Sequence, residues 1–75
     1  MHLTIEMDRE EDGRWIAEVL ELHGVMCYGP TRDQAISKAE RLAIELIGDR
    51  IGRGELPSTA LAVSCTITEV QMASE

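Results

Sequence analysis

Basic residues are scarce in this chain. Seven Lys and Arg stand against fourteen Asp and Glu in 75 residues, a net charge of −7. Proteins hold nucleic acids largely through Lys and Arg that displace phosphate counterions, and here the long-range field repels phosphates. The charge argues against free association with DNA or RNA and suits a basic protein partner. Long apolar runs are missing too. Nothing approaches the ~20 residues of a bilayer-spanning helix, and the first residues lack a basic stretch followed by an apolar one. The expectation is a soluble, cytoplasmic protein that meets no membrane.

Cysteine, histidine and aromatic residues are equally few. Cys27 and Cys65 are the only cysteines. They form no C-x-x-C motif, and each sits in an apolar, strand-like context that reads as a buried thiol in a reducing compartment. His2 and His23 have no neighbouring nucleophile motif and no ligand partner at helical spacing. Gly48, Gly52 and Gly54 close a helix where a phosphate loop would open one. No cofactor or metal is expected from these residues. Trp15 and Tyr28 are the only aromatics.

Against these absences, 44% of the residues are apolar and no segment is of low complexity, so a core can form. It is small, since a chain of this length buries only about 60% of its unfolded surface. One domain over residues 1–75 is expected. His2 to Met7 alternates polar and apolar, with Leu3, Ile5 and Met7 on one face, which describes a half-buried strand. Asp12-Gly13 supplies a hairpin turn, and Arg14 to Leu20 reads as the return strand. Both faces of that strand are partly apolar, Trp15, Ala17 and Val19 on one and Ile16 and Leu20 on the other, so a partner is expected to cover one side. Val25 to Tyr28 makes a third strand, stopped by Gly29-Pro30.

Thr31 to Gln34 has the form of a capping box, predicting a helix from about residue 32 to 51. Asp33 and Arg50 suit its dipole, and Gly52, Gly54 and Pro57 end it. At helical spacing Ala35, Ile36, Ala39, Leu42, Ala43, Leu46 and Ile47 form one stripe that packs on the sheet. Ile44 falls outside this stripe, near Glu40. Leu61, Val63, Cys65 and Ile67 alternate with Ala62, Ser64, Thr66 and Thr68 as a last strand. The expected fold is α+β with order β-β-β-α-β, an antiparallel meander carrying one long helix on one face.

Three segments taken together resemble the HicB-like antitoxin family. They are Asp12-Gly13-Arg14-Trp15-Ile16-Ala17-Glu18-Val19, then Glu21-Leu22-His23-Gly24-Val25, then Gly29-Pro30-Thr31-Arg32-Asp33-Gln34-Ala35. His23 departs from the pattern, where proline is common. The resemblance implies a partial ribonuclease-H-like fold, homo-oligomers, and an antitoxin that neutralises a small, basic, HicA-like toxin that cleaves mRNA. Many such antitoxins also carry a C-terminal DNA-binding domain. No helix-turn-helix or ribbon-helix-helix segment is expected after Val70.

A ribonuclease-H-like fold invites a metal-dependent nuclease reading through Glu6, Glu18 and Glu69. Nothing in their spacing brings them together, and solvated strand faces explain them better, so no enzymatic activity is expected. An oligomeric adaptor without a toxin is the main alternative to the antitoxin reading. The candidate partner-binding residues are Ile44, Glu40, Tyr28 and Trp15. Trp15 fits core before interface, Tyr28 fits either, and Ile44 fits an interface because no element of the expected fold covers it.

Overall fold

A computed structural model describes residues 1–69. The elements are β1 (His2–Arg9), β2 (Trp15–Val19), β3 (Met26–Gly29), α1 (Arg32–Gly52), a short 3-10 helix (Ser58–Leu61) and β4 (Ser64–Glu69). They form one four-stranded sheet in the order β3-β2-β1-β4. The first three strands are an antiparallel meander. β4 instead runs parallel to β1, so the sheet is mixed and not antiparallel throughout. The reason is the crossover. The chain leaves the meander at β3, returns along α1, and enters beside β1 in the same direction. A reading of C-terminal elements beyond Val70 concerns residues outside those described.

Local chemistry accounts for each joint. In the β1–β2 hairpin the Asp12 carboxylate accepts from the Arg14 backbone N–H at 3.0 Å and from its Nε at 2.8 Å, while Gly13 takes φ +92°. These bonds, the backbone one foremost, hold the Asp12 carboxyl below the usual aspartate range. Thr31 caps α1, its hydroxyl accepting from the Gln34 N–H at 3.2 Å. At the far end Gly54 N–H bonds to Ile51 O and Glu55 N–H to Arg50 O, closing the last turn.

The core lies between α1 and one sheet face. Leu3, Ile5, Met7, Ala17 and Val19 from the sheet meet Ala35, Ile36, Ala39, Ala43 and Ile47 from the helix, with Leu22, Val25 and Ala60 at its margins. Ala35, Ala39 and Ala43 let the helix approach closely, and Gly29 permits this at β3. A Cβ on Gly29 would lie 2.7 Å from the Ala35 backbone nitrogen.

Four expectations change. Leu42 is exposed, because the helix surface seated on the sheet is narrower than the apolar stripe and Leu42 overhangs the β3 side, beside Cys27 and Lys38. Leu46 is half-buried. Leu61 belongs to the 3-10 helix and is exposed, so the last strand starts at Ser64. Cys27 and Cys65 are half-buried free thiols, since each lies on an edge strand that the helix covers only partly.

Candidate partner-binding surface

Helix α1 lies mainly over β2 and β3 and covers the helix side of β4 only partly. A groove therefore runs between α1 and β4, lined by Leu3, Glu40, Ile44, Val63 and Cys65. Ile44 is 49% exposed on its helix wall, and Ile67 is 39% exposed further along β4. Isolated exposure of a large apolar side chain is ordinary, but Ile44 stands in an apolar groove, which is a feature of interaction sites. Burial raises the Cys65 thiol above the usual cysteine range, and the nearby Glu40 carboxylate raises it further. At neutral pH Cys65 is thus a protonated, apolar wall residue with little nucleophilic character. Arg32 closes the Glu69 end of β4, its Nε 2.6 Å from a Glu69 carboxylate oxygen.

The sheet's second face carries no helix among the described residues. Leu20, Met26 and Tyr28 are exposed there, with Ile16 half-buried opposite Tyr28. The Arg14 guanidinium lies 4.8 Å from the centre of the Tyr28 ring. On the same face Glu21 reaches across to β1, accepting from the Thr4 N–H at 2.6 Å and the Thr4 hydroxyl at 2.7 Å. These bonds hold its carboxyl below the usual glutamate range. His2 bridges the sheet edge, with Nδ1 2.8 Å from Ser64 Oγ and Nε2 2.9 Å from Thr66 Oγ1.

The four residues singled out from the sequence do not form one site. Ile44 and Glu40 share the α1–β4 groove. Tyr28 lies on the opposite sheet face, and Trp15 is half-buried against the core at the hairpin end, under the Arg9 guanidinium at 5.4 Å. The groove's other wall, Val63 and Cys65, was not foreseen as part of a site. The alternation that marks β4 was visible, but its apolar face reads as core until the helix is known to stop short of it.

The acidic candidates divide similarly. Glu6 and Glu18 are direct cross-strand partners on the open face, so the fold does bring two of them together. Glu69, register partner of Met7, is held on the helix side by Arg32. Among the described residues no group of three or more His, Cys, Asp or Glu is placed to hold a metal ion. No described helix is long and apolar enough to cross a membrane. No family model, curated protein or solved structure matches this chain.

Proposed function

We propose that this domain works by binding a protein, as an antitoxin of the HicB-like kind that occludes a small, basic, mRNA-cleaving toxin. The observation that carries the reading is the exposed Ile44 beside Glu40 on the rim of an apolar groove. An RNase must present a basic surface to hold phosphate, and an acidic domain of net charge −7 is drawn to it. Affinity then comes from a small desolvated centre at Ile44, ringed by polar groups. The three motif segments from Asp12 to Ala35 support the same reading and the ribonuclease-H-like description of the fold. Under this proposal the domain has no catalytic step, takes no cofactor, resides in the cytoplasm and binds no operator DNA alone.

The test is titration calorimetry against a small basic RNase encoded beside this chain, using native protein and Ile44→Glu. Tight binding by the native chain and a loss of about 2 kcal/mol or more in the variant, roughly thirtyfold in Kd, is the expected result. Native-like affinity in Ile44→Glu would move the interface to Tyr28 and the open sheet face. No heat from the native chain would favour an oligomeric adaptor that meets no toxin.

A further inference from the structure

We infer that β4 is a self-association edge, joining two copies of this chain into one continuous sheet through an antiparallel β4–β4 pair centred on Thr66. This inference is independent of the toxin assignment.

The two edges of the sheet differ. β3 is four residues long and ends against Gly29-Pro30, and a proline offers no N–H. Because Val25 O accepts from Val19 N–H, strand alternation turns the backbone groups of Met26 and Tyr28 outward. Lys38 Nζ already takes the Tyr28 carbonyl, at 3.1 Å. A lysine on an edge is a known defence against pairing. Among the described residues β4 has no such guard. The thirteen residues from Leu56 to Thr68 contain no charged side chain, in a chain that otherwise repels its copies through a net charge of −7. A second copy can therefore approach here without facing carboxylates along the seam.

Backbone parity then restricts the register. Ser64 N–H bonds to Met1 O at 3.0 Å, so Ser64, Thr66 and Thr68 turn their backbone groups toward β1. The N–H and C=O groups of Cys65, Ile67 and Glu69 point out of the sheet. Antiparallel hydrogen-bonded pairs need outward groups on both strands, and a two-fold axis through Thr66 meets that need. It sets Cys65 opposite the second copy's Ile67, twice, and forms about four backbone hydrogen bonds. On the groove side apolar meets apolar, which gives Ile67 cover. On the open side Thr66 meets Thr66 and Ser64 meets Thr68, all uncharged. An axis through Ile67 would instead oppose Cys65 to Glu69, whose carboxylate Arg32 already holds. An axis through Cys65 would pair only the residues from Ser64 to Thr66 within the strand.

Sedimentation analysis at micromolar concentration should give twice the 8.3 kDa chain mass. Thr66→Lys and Thr66→Glu alter an exposed position and should each weaken the dimer about fivefold or more, because like charges then face each other across the axis. An equimolar mixture should restore it, since an ammonium then faces a carboxylate. A native chain that sediments at 8.3 kDa throughout the micromolar range overturns the inference, as do charge variants whose dimer dissociation constant is unchanged or a mixture that is not rescued. Should either variant fail to fold, amide exchange on the native protein decides. The outward N–H groups of Cys65 and Ile67 are expected to be protected in a concentration-dependent way, and fast exchange at high concentration refutes the seam.

Discussion

Three single residues hold joints whose failure has a calculable sign. Gly29 lets β3 touch the first turns of α1, and a methyl there would collide with backbone, which cannot swing aside. Gly29→Ala is expected to cost about 1–3 kcal/mol, as overpacking does, and to lower the thermal midpoint by several degrees or more in a domain this small. Thr31→Ala removes the acceptor for Gln34 N–H and should cost about 1 kcal/mol. Glu21 ties the β2–β3 connection to Thr4 as a carboxylate. Its folded pKa lies below its unfolded one, so its stabilisation is complete above the usual glutamate range and is lost as pH falls from that range through the lowered folded pKa. In urea unfolding the gap between the native chain and Glu21→Gln should therefore be widest near neutrality and close in acid. A gap that does not vary with pH would contradict the role given to the carboxylate.

At the scale of elements, helix α1 shows what its residue pattern conveys and where the pattern stops. Its start at Thr31 and its end near Gly52 were legible, because caps and breakers act through neighbours in sequence. The width of its buried face was not. Leu42 and Ile47 look alike in a periodic pattern, and only the position of the sheet edge decides that Ile47 is buried and Leu42 overhangs. The same geometry separates Ile44 from the core. Ile47→Ala should cost about 2–5 kcal/mol, whereas Ile44→Glu should leave the unfolding midpoint nearly unchanged. If Ile44→Glu unfolds the domain, Ile44 is a core residue and the groove is not a binding site. The apolar alternation of β4 identified a strand but not its cover, since half-covered and fully covered faces are written with the same residues.

For the whole molecule, the acidic balance and the scarcity of Lys and Arg are what the proposal of a basic protein partner rests on. The meander and the long helix were readable from turns and periodicity. The parallel entry of β4 beside β1 was not, because it follows from a long-range crossover that leaves no local signal. That entry matters most for the proposed function, since it places Val63 and Cys65 opposite Ile44 and creates the groove. Two exposed apolar surfaces result, one in the groove and one around Tyr28, on a domain that carries surplus carboxylates. The central proposal is that such a domain acts by occlusion, and RNA cleavage by a small basic RNase encoded beside this chain, the partner the proposal requires, measures this most directly. Adding the native chain should stop cleavage at a fixed stoichiometry, with Ile44→Glu requiring about thirtyfold more protein at limiting concentration. Cleavage that continues undiminished in excess native chain would contradict the account.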